Sequence, residues 1–111
     1  MKHFVLTAVL GLASAAAFAE DAAAVPEKAS TCFACHGQGG VSTTGMYPVL
    51  AGQYANYLEH ALTEYKEGKR KNAIMGGQAA GLSKDEIKAL AHYFSSQPGP
   101  LYTPSVHGAL K

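Results

Sequence analysis

The sequence predicts a small all-α domain of three to five helices, and three observations carry that prediction. No stretch shows the alternation of apolar and polar residues that a half-buried strand requires. Two stretches, 53–66 and 83–97, place apolar residues at helical spacing. The connections at 37–45 and 69–81 are glycine-containing and long for so short a chain. Loops of that length are usually functional or wrapped around something.

The elements follow in order. Residues 1–19 have the features of a cleaved secretory signal peptide: a short basic start at Lys2 and His3, an apolar run from Phe4 to Leu12, and a small-x-small site at Ala17-Phe18-Ala19. The apolar run falls short of the roughly 20 residues a membrane span needs, so no stable membrane insertion is expected after cleavage. Export would place the remaining domain, residues 20–97, in the periplasm. Removing residues 1–19 takes away only Lys2 among the charged residues and leaves eight basic against eight acidic. That balance argues against a nucleic-acid partner, which would favour a basic patch. Lys69-Arg70-Lys71 is the nearest approach to one and reads as a solvated turn.

A first helix is expected from Pro26 to the cysteines, because proline suits a first helical position. Met46 to Gly52 is apolar but contains Pro48 and Gly52, and is expected as irregular chain packed on something apolar. In the middle helix, Tyr54, Tyr57, Leu58, Ala61, Leu62 and Tyr65 share a face, and Gly68 marks the stop. Residues 69–81 are expected as loop. Ser83 and Glu86 form a capping-box pattern ahead of a stripe of Ile87, Leu90, Ala91 and Phe94. Pro98-Gly99-Pro100 ends that last helix, and residues 98–111 are expected as a partly ordered tail.

Cys32-Phe33-Ala34-Cys35-His36 is the C-x-x-C-H pattern of covalent haem attachment. Two thiols three residues apart at a helix end can reach both vinyl groups on one porphyrin edge, and the next residue offers its imidazole to the iron. A disulfide redox pair would be expected near a βαβ pattern. A structural zinc site needs four ligands, and a plain disulfide has no use for the adjacent histidine.

A histidine–methionine pair on haem iron raises the potential and suits electron transfer. Beyond the initiator there are two methionines, Met46 and Met75. Ten extended residues reach about 33 Å, so chain length does not exclude Met46. Met75 is the better placed, between two helices beside Gly76 and Gly77, where the backbone can approach a flat ring. His60 and His92 are expected on helix surfaces and His107 in the tail. Tyr47, Tyr54 and Tyr57 are candidates to line the haem pocket, and Arg70 or Lys71 to neutralise a haem propionate. Phe33, Ala34 and the Met75-Gly76-Gly77 segment are candidates for an exposed haem edge, although Phe33 would serve equally as core.

Together, CFACHG (32–37), YPVLAGQ (47–53), 54–62, GKRKNAIMGG (68–77) and GLSKDEIKALAHYFSSQ (81–97) resemble the class I c-type cytochromes, in particular the cytochrome c4 group and its mono-haem relatives. The resemblance implies a small helical fold around one haem c, with His36 and Met75 as the iron ligands. It also implies that the Pro48 carbonyl accepts the second N–H of His36. Many members have two such domains, whereas this chain has a single C-x-x-C-H. The residues after Gln97 match nothing in the family pattern.

The function expected is that of a periplasmic electron carrier and not an enzyme. It would act as a monomer between redox proteins such as a membrane quinol-oxidising complex and a terminal oxidase, peroxidase or reductase. The alternatives are a haem subunit of a larger dehydrogenase, and a haem protein that binds gas or peroxide at a labile sixth position.

Overall fold

The structure is a computed structural model that describes residues 24–104. The expected signal peptide and His107 lie outside those residues. Four helices are present among the described residues, and no strand: α1 (Ala29–His36), α2 (Ala55–Lys66), α3 (Ala73–Ala80) and α4 (Lys84–Ser96), with a 3-10 turn at Gln38–Gly40. None of these helices is long and apolar enough to cross a membrane.

α1 begins three residues later than expected. Pro26 does not open the helix; its carbonyl accepts the Ala29 N–H at 2.9 Å, closing a turn before the first helical residue. The helix ends where its chemistry requires, with His36 as its last residue and Gly37 at φ +79°. A Cβ at Gly37 would sit 2.3 Å from the Val41 carbonyl oxygen, so only glycine can make this turn.

Just before α2 the Gln53 side-chain oxygen accepts the Tyr54 N–H, and in its first turn that of Asn56 accepts the Tyr57 N–H. The helix stops at Gly68, φ +71°. α4 opens with both arms of the capping box: Glu86 N–H to Ser83 Oγ at 3.1 Å and Ser83 N–H to Glu86 Oε2 at 2.8 Å.

One correction concerns 69–81. Most of that stretch is helix α3, opened by Asn72, whose Oδ1 accepts the Met75 N–H at 3.0 Å. This is a standard cap, which satisfies one of the free N–H groups of a first turn.

The core is built on α4. Ile87, Leu90, Ala91, Tyr93 and Phe94 are all buried and meet Leu58 of α2, Ala79 and Leu82 around α3, and Ala29 at the start of α1. α2 packs against both α3 and α4. Phe33 brings α1 in: its ring centroid is 6.0 Å from those of both Tyr93 and Phe94, and those two are 5.2 Å apart. Such pairs contribute about 0.5–1.5 kcal/mol each beyond their burial. Phe33 is partly buried and packs against the core. Lys66 ties α2 to the turn before α4 by donating to the Leu82 carbonyl.

The chain after Gln97, expected as a tail, stays on the domain as far as it is described. Gly99 and Leu101 lie against Ala51 and Gly52, and Thr103 Oγ1 donates to the Gly52 carbonyl at 2.7 Å.

Candidate haem site

The helices surround a cavity of about 590 Å³, within the range of about 300–1,000 Å³ typical of sites for small molecules and cofactors. Every helix contributes to its wall. α1 supplies Cys32, Ala34, Cys35 and His36. The irregular segment supplies Met46 to Leu50. α2 supplies Tyr57, Leu58, Ala61, Leu62 and Tyr65; α3 supplies Ile74 and Met75; α4 supplies Leu90, Ala91 and Phe94. Most of this wall is apolar. The packing faces of α2 and α4 therefore divide their residues between a protein core and a cavity.

His36 is buried, and its Nδ1 lies 2.8 Å from the Pro48 carbonyl oxygen. A carbonyl can only accept, so Nδ1 carries the hydrogen and Nε2 holds the free lone pair. A neutral imidazole with one nitrogen tied to backbone is the usual form of a metal-binding histidine. The Tyr47 ring meets that of His36 edge-on at 6.3 Å. Cys32 and Cys35 are free and partly exposed, three residues apart on α1. Burial pushes the Cys32 thiol above its ordinary pKa, and its Sγ donates to the Lys28 carbonyl at 3.7 Å.

Arg70 reaches the cavity from the α2–α3 connection. Its guanidinium donates to the Tyr57 hydroxyl from both terminal nitrogens at 3.3 Å, and stands 5.1 Å from the centroid of the Tyr65 ring and 5.8 Å from that of Tyr57. Among the described residues no carboxylate pairs with it. Lys71 is exposed and off the wall.

Met75 lies on the wall, at the third position of α3, and is half-buried. Met46 also touches the wall but is 79% exposed. Tyr54 is not among the residues that line the cavity. It precedes α2, and its hydroxyl donates to the Pro104 carbonyl. His60 and His92 are exposed, and His60 stands 3.4 Å from Glu64 on the same helix. Sequence reasoning missed Tyr65 as the second ring beside Arg70. Its helical spacing from Tyr57 gave the direction, but only the path of the α2–α3 connection brings Arg70 over it.

An apolar cavity with two free thiols, a metal-competent imidazole and a thioether on one wall fits a covalently bound haem. The class so defined is the small haem-bearing electron-transfer protein. The family model for cytochrome c matches residues 19–98. Cytochrome c-554(548) of Halomonas halodenitrificans is 46% identical over 82 residues, 71% of this chain and 99% of that protein. The thiosulfate dehydrogenase electron acceptor of Thiomonas intermedia is 42% identical over 93% of this chain and 50% of its own length. Cytochrome c4 of Pseudomonas aeruginosa is 42% identical over 83% of this chain and 46% of its own. The chain thus spans nearly all of the first relative and about half the length of the other two. It belongs to the cytochrome c family, as an electron-transfer protein and not an enzyme, and carries one covalent haem c with its iron.

Proposed function

We propose that the chain is exported, loses residues 1–19, and works in the periplasm as a single-electron shuttle within residues 20–97. Its haem would be held by thioethers at Cys32 and Cys35, with His36 and Met75 as the two iron ligands. A single juxtaposition supports this: α1 and α3 bring the two cysteines, a histidine with Nε2 free, and a half-buried methionine onto one apolar wall. When bound, the haem supplies one reversible electron at iron.

The chain's own residues set the conditions for that transfer. Pro48 holds His36 in one orientation and one tautomer, so that the ligand does not rearrange between oxidation states. Leu58, Leu90 and Phe94 keep the site apolar, and burial is one of the factors that tune a haem potential. Arg70, set beside Tyr57 and Tyr65, is the positive charge on the wall that would pair with a haem propionate. Donor and acceptor would be redox proteins, a quinol-oxidising complex and a terminal oxidase or reductase among them, meeting this chain in small, brief contacts.

The test is an absorption spectrum of the purified protein with two variants. A sharp reduced α band and a weak far-red charge-transfer band in the oxidised form are expected. Met75→Ala should abolish the far-red band, lower the potential and admit cyanide or carbon monoxide, while Met46→Ala should do none of these. The reverse pattern would give the sixth position to Met46.

A second reading is service as the haem partner of a dehydrogenase. It draws on the relative from Thiomonas intermedia, named as an electron acceptor of thiosulfate dehydrogenase. Co-purification with a dehydrogenase at moderate salt would favour it; elution as a lone species would favour the free shuttle.

A further inference from the structure

The segment that holds Pro48 is gripped from two sides. From within the domain, the Gly40 carbonyl accepts the N–H groups of Leu50 and Ala51 at 2.8 and 3.1 Å, and the Phe94 carbonyl accepts that of Gly52 at 3.0 Å. From outside, residues 98–104 run across the same segment. Gly99 packs so closely on Ala51 that a Cβ there would come within 2.7 Å of the Ala51 Cβ. The Leu101 carbonyl oxygen would lie 3.2 Å from a Cβ on Gly52, which is itself at φ +77°. Thr103 donates to the Gly52 carbonyl at 2.7 Å, and Tyr54 donates to that of Pro104. Pro98, Pro100 and Pro104 restrict this stretch further. All of it but Pro98 lies beyond the residues matched to the family, which end at 98.

We propose that residues 98–104 form a strap that positions His36 through Pro48, with Thr103 and Tyr54 as its fasteners. The strap touches the 51–54 segment from one side, while Pro48, three residues earlier, accepts the His36 hydrogen bond. This rests on His36 being an iron ligand, as proposed above. A hydrogen bond from Nδ1–H to a carbonyl raises the basicity of a ligating histidine. A more basic ligand favours the oxidised iron and so lowers the potential. Unfastening the strap loosens the Pro48 carbonyl, weakens that bond and shifts the potential upward.

The experiment uses the mature haem-bearing protein with Thr103→Val, Tyr54→Phe, the pair together, Thr103→Ser as the conservative variant, and Tyr102→Ser as the control. Tyr102 sits on the same strap but is 86% exposed. Three quantities are read: melting temperature, reduction potential, and the exchange rate of the His36 Nδ1 proton by NMR. Thr103→Val and Tyr54→Phe should each speed that exchange and move the potential to more positive values. The pair should do so most, Thr103→Ser should restore the native values, and Tyr102→Ser should match the native protein. Variants that lose melting temperature while exchange and potential stay native would reduce the strap to a stability element and overturn the proposal, as would no change at all. A native protein with no hyperfine-shifted ring signal from His36 would overturn the ligand assignment, and the strap's role with it.

Discussion

α3 and α4 are neighbours in the chain and open in the same way, yet they are held in place by different things. Each is capped by a side-chain oxygen that takes the N–H three residues on, Asn72 to Met75 and Ser83 to Glu86. α4 then buries five of its thirteen residues, while α3 buries only Ala79 of its eight. α4 is fixed by its own amphipathic stripe against the core. α3 depends on its cap, on its packing against α2, and on the cavity that Ile74 and Met75 face. Electron transfer needs a ligand brought to a flat ring, which a short helix at the cavity edge can supply. Stability needs a long helix that the core cannot release.

The largest effect expected comes from removing the thiols. In Cys32→Ser with Cys35→Ser, no haem should remain with the chain through denaturing electrophoresis. Amide exchange should then show α3 losing protection before α4. Equal loss in both helices would mean that the two are one cooperative unit.

Next in size is Ile87→Ala. Ile87 is 2% exposed and is not part of the cavity wall. Truncating a buried isoleucine costs about 2–5 kcal/mol, to be measured by denaturant unfolding of the haem-bearing protein. The potential should not move, and a shift would show that α4 also tunes the site.

The caps sharpen the contrast further. Asn72→Ala and Ser83→Ala should each cost about 0.5–2 kcal/mol. Only Asn72→Ala should also shift the potential, because the N–H it holds belongs to Met75. Equal potentials in the two variants would remove the link between this cap and the ligand.

The same contrast explains what could be read in advance. α4 was legible because cap, stripe and terminating proline all agree in its sequence. α2 was legible through its tyrosine and leucine face. α3 was not: Ala73-Ile74-Met75-Gly76-Gly77-Gln78-Ala79-Ala80 has two adjacent glycines and no polar–apolar period, so only the Asn72 cap signalled a helix. The C-x-x-C-H segment carries its chemistry in residue type and could be picked out directly, while residue type left Met46 and Met75 both open as the sixth ligand. Tyr54 could not be separated from Tyr57 by periodicity, because it lies just before the helix, where the 3.6-residue rule no longer directs the side chain. The strap was illegible for a related reason: its hydrogen bonds join it to residues some fifty positions earlier, Thr103 donating to the Gly52 carbonyl and the Tyr54 hydroxyl donating to that of Pro104, and no local pattern encodes them.

The smallest effect concerns pH and isolates α4. The Ser83 N–H, donating to Glu86, holds the Glu86 carboxyl below its ordinary value of 4.5. A carboxylate with a lowered folded-state pKa stabilises the fold fully above its unfolded pKa, and that contribution fades as pH falls through the lowered folded value. Glu86 is exposed to solvent, so the contribution is slight and screened. Melting temperature should therefore fall on acidification below about pH 4.5, and Glu86→Gln should remove a small part of that dependence while keeping the cap's other arm. The proposed ligation by Met75 would involve no carboxylate, so the far-red band should persist across the same window. If the band faded in step with the Glu86-dependent part of the melting curve, the two helices would be coupled through the turn between them, and the division of labour between α3 and α4 would fail.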